Sequence, residues 1–217
     1  MPGVVVSTNV RSGPSGVGEV LEAQVFFAGL TERGSITEPR LVRGVSEFQN
    51  YYGGYEAGNL FMDVSTYFEE GGERAYIYRV LDSSASTSEL TLQDRDGTPE
   101  DTLLVQAANP GAWGDTLSVQ VVDGDSANTF KLLFSLDSVL QYTTRDLTDP
   151  ADAVAVVNTS AVNHLVKLTD LSSSSTAPDN NPAVLADTNL TGGADGSAPV
   201  DQDFADALDN FTYDLGV

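Results

Sequence analysis

His164 is the chain's single imidazole and the one side chain whose ordinary pKa suits proton transfer near neutrality. A Ser-His-Asp triad would need it as general base. It sits in His164-Leu165-Val166-Lys167-Leu168, an alternation that reads as strand, with no nucleophile motif beside it. The absence of cysteine removes thiol catalysis, disulfides and thiolate metal sites together. Gly13, Gly16 and Gly18 are spaced like a phosphate-cradling loop, but no lysine follows them and no useful apolar strand leads in. Asp94-Arg95-Asp96-Gly97 and Asp123-Gly124-Asp125 carry oxygen ligands of the kind that take Ca²⁺. Neither completes a calcium loop with its closing Glu, and turn chemistry accounts for both. Asn158-Thr159-Ser160, Asn189-Leu190-Thr191 and Asn210-Phe211-Thr212 match the glycosylation pattern, while Met1-Pro2-Gly3-Val4-Val5-Val6 lacks the basic flank and apolar length of a secretion signal. Glu69-Glu70 stands beside a helix end on a face expected to be solvated. No catalytic set, metal site or cofactor site emerges.

Charge narrows the partners. Ten Lys and Arg stand against 32 Asp and Glu among 217 residues, a net charge of −22. Such a surface repels phosphate backbones and anionic lipid, which argues against nucleic-acid binding and membrane anchoring. No apolar run approaches the roughly 20 residues of a membrane span. Residues 1–80 hold ten acids and six bases, whereas residues 81–217 hold 22 acids and four bases. A solvated surface, adaptation to high salt, or a lattice that must not adhere to other anionic surfaces would each produce this asymmetry.

The elements that must position these residues fall into three stretches. Residues 1–18 read as an arm: Val4-Val5-Val6 is strand-prone, and Gly13, Pro14, Gly16 and Gly18 make the following linker a run of turn formers. A short strand on a flexible tether needs a sheet edge to join. Residues 19–81 alternate strand and helix. Strands are expected at Ala23–Ala28, Leu41-Val42 and Ala75–Val80; a short helix is expected with Ser46 as N-cap and Gln49 at capping-box spacing, and a longer one over Asn59–Phe68, stopped by Gly71-Gly72. Residues 82–189 read as an inserted, mostly antiparallel β subdomain. Its expected strands are Leu90–Leu92, Thr102–Val105, Leu117–Val122, Thr129–Phe134 and His164–Leu168, with a helix opened by Asp149-Pro150 and an exposed loop over 172–189. An acidic helix at 201–209 carries Phe204 and Leu208, and Phe211 onward reads as a strand beginning. The expected fold is α/β, of mixed α+β character. Its core α/β layer (19–81 with 190–217) carries the β insertion and an extended N-terminal arm, and stops part-way through an α/β repeat.

Six blocks, in order, resemble the tail sheath proteins of contractile phages and related contractile injection systems. They are Pro2–Val6; Phe27-Ala28-Gly29-Leu30 through Arg33-Gly34 to Glu38-Pro39; Ser46–Phe48 with Tyr52-Gly53-Gly54; Tyr67–Val80, with Gly71, Gly72, Tyr76 and Arg79; Pro110-Gly111-Ala112-Trp113-Gly114-Asp115; and Leu190-Thr191-Gly192-Gly193-Ala194-Asp195-Gly196. Residues 2–80, 105–120 and 190–217 carry the resemblance, and the stretches between match poorly, as inserted loops would. Val5 and Ser7 stand where the family often has an aromatic and an acid. Family members also continue well past residue 217.

The resemblance implies a structural protein without enzymatic activity, cofactor or metal, assembled in the host cytoplasm into the contractile tail of a virion. Its implied partners are other sheath subunits in a six-fold helical lattice, a tail tube protein, and baseplate and tail terminator proteins. It implies an inter-subunit arm at Val4, Val5 and Val6 and an outward-facing β subdomain. The motif residues Gly71, Gly72, Tyr76, Arg79, Pro110, Gly111, Trp113, Gly114, Gly192 and Gly193 would be structural, with Trp113 in the β subdomain core. The alternative is a Ca²⁺- or glycan-binding surface module that uses the acidic β subdomain.

Overall fold

The computed structural model describes residues 25–55, 58 and 60–210. The expected arm at 1–18, with Val4, Val5, Val6 and the linker Gly13, Pro14, Gly16 and Gly18, lies outside the described residues, as does the strand expected from Phe211. The described residues form ten strands and four helices in three mostly antiparallel sheets, a mixed α+β fold. The chain divides into two compact units, one running to Ser83 and resuming at Ser197, the other spanning Ser84–Gly196.

In the first unit, β1 (Val25–Gly29), β2 (Arg40–Val42) and β3 (Ala75–Arg79) form a sheet in the order β1-β3-β2. β1 runs parallel to β3, and β2 antiparallel to it. A parallel pair cannot be joined by a tight turn. Here α1 (Val45–Tyr52) and α2 (Leu60–Glu69) fill the crossover. Strand alternation then sorts the apolar residues by face. Phe27, Ala75 and Ile77 share a core with Phe48, Tyr52, Leu60 and Val64 from the two helices. Phe26, Tyr76 and Tyr78 pack instead with Phe204, Ala207 and Leu208 of α4 (Asp201–Asn210). The sheet is therefore covered on both sides.

The expected cap of α1 is corrected. Its N-cap is Gly44, with no side-chain cap, and Ser46 lies inside the helix. Glu47, in the first turn, reaches back instead to accept the N–H of Arg43, just before the helix, at 2.8 Å. Elsewhere the helix ends follow their signals. Gly71, in the left-handed region at φ 96°, closes α2, and the Gly72 N–H donates to Tyr67 O at 2.9 Å.

The second unit contains β4 (Glu89–Gln93), β5 (Asp101–Ala107), β6 (Leu117–Asp123), β7 (Phe130–Leu136), β8 (Val139–Thr143), α3 (Pro150–Thr159), β9 (Val166–Asp170) and β10 (Leu185–Asn189). One sheet has the order β4-β5-β9 and the other β10-β6-β7-β8, with every pairing antiparallel. A single apolar core joins them: Leu103 and Val105 from one sheet, Val119, Val121, Leu132 and Phe134 from the other, and Ala153 and Val157 from α3. Asp149 caps α3, its carboxylate accepting the Asp152 N–H at 2.8 Å.

Several expectations in this unit change. His164 lies in the turn before β9, which begins at Val166; the His164 Nδ1 sits 2.8 Å from Ala161 O. The loop expected over 172–189 contains β10, held against β6 despite a sequence (Leu-Ala-Asp-Thr-Asn) of low strand propensity. Residues 190–196, grouped by sequence with the α/β core, belong to the second unit, where Leu190 is fully buried. β8 follows a two-residue turn, Asp137-Ser138, whose residues both have positive φ. That geometry suits a tight hairpin, but it lacks the glycine that would announce it.

Leu132 lies at the centre of the second core and is fully buried. Leu132→Ala is expected to lower the unfolding free energy by about 2–5 kcal/mol, read from urea titration.

Candidate functional site

Two groups of backbone ties gather the residues singled out by sequence, one in each unit. In the first unit, the loop after β1 is held by charged and aromatic side chains that sequence separates widely. Arg79, at the end of β3, is completely buried. Its Nε donates to Thr31 O at 3.1 Å and its Nη2 to Glu32 O at 2.9 Å. A buried guanidinium is costly unless its N–H groups find acceptors, and these carbonyls supply them. Arg33 donates to Glu32 Oε1 at 2.9 Å and to Gln49 O at 3.1 Å, and Glu32 Oε2 accepts the Gly54 N–H at 3.1 Å. The Tyr52 hydroxyl donates to Ile77 O at 2.8 Å, and burial pushes its pKa well above the usual tyrosine range. Gly53, at φ 85°, completes the crossing: a Cβ there would collide with the Glu32 side chain. Thus Arg33-Gly34, Tyr52-Gly53-Gly54 and Arg79 converge on one loop. Gly71, Gly72 and Tyr76 belong to the same unit but to its α2–β3 turn and its α4-facing sheet surface.

In the second unit, the glycines near residues 111 and 192 meet across some 80 residues of sequence. Asp115 Oδ1 accepts the Ser88 hydroxyl at 2.8 Å and the Gly193 N–H at 2.9 Å. Ser86 and Ala194 exchange backbone hydrogen bonds, the Gly111 N–H donates to Ser86 O at 2.9 Å, and the Ser86 hydroxyl donates to Gly192 O at 2.7 Å. Gly193 is glycine for want of room: a Cβ would strike both Ser88 Oγ and Gly111 O. Trp113 lies in the short 3-10 turn of residues Ala112–Thr116, packs into the core and donates from Nε1 to Pro110 O at 3.2 Å. Ser86 and Ser88 were not singled out by sequence. They sit in a serine-rich stretch whose composition says loop, and the bridge to Ala194 is a long-range contact with no local signature.

Neither knot has the makings of catalysis. Ser88 meets a carboxylate directly, with no base interposed. The acidic turns are used internally. Asp94 Oδ1 accepts the Asp96 and Glu100 N–H groups, and its other oxygen takes the Ser173 hydroxyl, which holds the carboxyl below its usual range. Arg95 pairs with Asp123 at 2.9 Å; Lys131 pairs with Asp125 at 2.7 Å and Asp146 at 3.4 Å. Arg145 makes a bidentate bridge to Asp152, with contacts of 2.6 and 2.9 Å. No group of three or more metal-ligating side chains occurs among the described residues. The Asn158 amide is occupied on both sides by Leu168, and the Asn189 amide donates to Asp115 O. A cleft of about 130 Å³ beside Tyr78, Arg79 and Asp203 is well below the several hundred Å³ of a small-molecule site. Among the described residues, no helix is long and apolar enough to cross a membrane.

No family model and no curated protein matches the chain. Among solved structures it is similar to a sheath tail protein from Listeria innocua, with a TM-score of 0.63 at 14% identity, covering 87% of this chain and 38% of that one. A sheath tail protein from Desulfitobacterium hafniense aligns at a TM-score of 0.59 and 16% identity, covering 96% of this chain and 43% of that one. The fold is that of the sheath tail proteins. The chain spans about two-fifths of the length of these two relatives. Both knots join stretches of chain that are distant in sequence, chiefly through side-chain bonds to backbone groups.

Two expectations follow. Gly193→Ala should cost about 1–3 kcal/mol through overpacking, seen as a lowered urea midpoint, because Gly111 O is backbone and cannot swing aside. Asp146 is held from 3.8 down to about 2, first by the Asp125 N–H and then by Ser126 and Lys131. A carboxylate with a depressed folded-state pKa contributes stability above its unfolded pKa and loses it as pH falls through the folded one. The stability difference between wild type and Asp146→Asn should therefore hold near neutrality and close between about pH 4 and about pH 2, measured by urea unfolding at each pH.

Proposed function

We propose that the chain is part of a contractile tail sheath subunit, polymerising around a tail tube as stacked six-membered rings and shortening to drive the tube through a host envelope. The observation that carries this reading is the likeness to two sheath tail proteins over 87% and 96% of the chain. It is supported by what Arg79, Ser88 and Asp115 do, which is to hold distant stretches of the chain together, and the proposed role is structural rather than enzymatic. The N-terminal arm, through Val4, Val5 and Val6, adds a strand to a neighbouring subunit's sheet, with Gly13, Pro14, Gly16 and Gly18 as the pliable linker. Backbone ladders then hold neighbours together while rigid units rotate, and repacking of a metastable lattice supplies the work without a nucleotide. Residues 84–196 face outward. Further partners are a tail tube protein, baseplate and terminator proteins, in a tail assembled in the host cytoplasm.

Antibody raised against the chain should decorate the outside of tails in native particles at regular intervals, and the decorated length should shorten on contraction. Label absent from extended and contracted tails alike overturns the reading. Deleting residues 2–8 is expected to abolish tube formation in electron micrographs while leaving the thermal melt unchanged. Tubes of normal yield from the deletion variant would remove the arm from the mechanism.

A further inference from the structure

Most of the described bases of this protein are engaged by groups of its own chain. Nine of its ten Lys and Arg lie among the described residues. Within Ser84–Gly196, sixteen carboxylates stand against four bases, and three of those bases are bound within the unit: Arg95 by Asp123, Lys131 by Asp125 and Asp146, and Arg145 by Asp152. Only Lys167 is exposed on a strand without such a bridge. In the first unit Arg79 is buried, Arg33 is bridged to Glu32, Arg40 lies over the Tyr51 ring at 3.3 Å, and Arg43 has Glu47 within 4.0 Å. Meanwhile Asp101, Asp137, Asp179 and Asp187 are exposed. A second copy of the chain therefore meets these carboxylates with few cations of its own: Arg40, Arg43, Arg145 and Lys167 are exposed, and the first three already lie against a ring or carboxylate of their own chain. With a net charge of −22, contacts between copies form against a standing repulsion that apolar and backbone groups have to outweigh.

We infer that self-association of this protein is gated by ionic strength, with salt promoting assembly rather than weakening it. Oppositely charged partners bind less well as salt rises; like-charged copies do the reverse. The screening length falls from about 10 Å at 0.1 M to about 3 Å at 1 M, which confines the repulsion to nearest neighbours. The inference rests on the sheath reading for its assertion that copies assemble, and the salt dependence is its own addition. The relevant medium is any electrolyte that screens, not one particular ion.

The test is sedimentation and electron microscopy of the purified chain in NaCl from 0.05 to 2 M, with thermal melts at each salt to follow the fold separately. MgCl₂ at matched ionic strength is run in parallel. The concentration needed for assembly is expected to fall at least about tenfold between 0.1 and 1 M NaCl, with NaCl and MgCl₂ coinciding at equal screening. The variant carrying Asp101→Asn, Asp137→Asn, Asp179→Asn and Asp187→Asn should assemble at lower salt than wild type. Assembly that is indifferent to salt, or weakened by it, overturns the inference and leaves the sheath reading standing. Assembly that needs Mg²⁺ specifically overturns it in favour of a bound cation. No assembly at any salt, with the fold intact, overturns both.

Discussion

Distant stretches of the second unit meet at Asp115. One carboxylate oxygen receives the Ser88 hydroxyl and the Gly193 N–H, so three stretches far apart in sequence are fixed to a single atom. Around it, the exchange between Ser86 and Ala194 and the Gly111 N–H on Ser86 O leave those backbone groups paired among themselves. Backbone groups near a core must find partners, and loops seldom supply them as regularly as strands do. Here the glycine-rich turns do so by close approach, which is why Gly193 has no room for a side chain. The first unit solves the same problem with a charge, letting Arg79 serve carbonyls that the sheet leaves behind.

Local signals in the sequence fared well wherever the deciding interaction was itself local. Asp149-Pro150 opens α3, Gly71-Gly72 closes α2, and the apolar face of Leu60, Val64, Tyr67 and Phe68 packs as its spacing requires. The larger failures share one cause: the deciding partner was distant. β10 is a strand because β6 lies beside it, not because Leu-Ala-Asp-Thr-Asn favours extension. The α1 cap is a local exception: Gly44 holds the N-cap position and Ser46 lies inside the helix. The motif glycines were visible as glycines, but that those at 111 and 193 meet over Ser88 could not be read from either block.

Charge tells a similar story at another scale. The acidity is plain from composition, whereas the fate of the bases is not. Several of the ten cations are taken up inside the chain rather than left as a patch. They brace turns: Lys131 holds the β6–β7 hairpin to Asp146, and Arg145 holds the approach to α3. The result is a surface on which acids far outnumber bases.

The bridge between Ser86 and Ala194 has an evolutionary consequence. The whole of Ser84–Gly196 leaves and returns at adjacent points, so to the rest of the chain it is equivalent to a short closed loop. Loop-closure cost grows only slowly with length, and here the excursion folds around its own core and clasps its own ends. Such a module can lengthen, shrink or be exchanged while the chain on either side keeps its path. Divergence is then free to concentrate within it, with the clasp residues as the part that must stay.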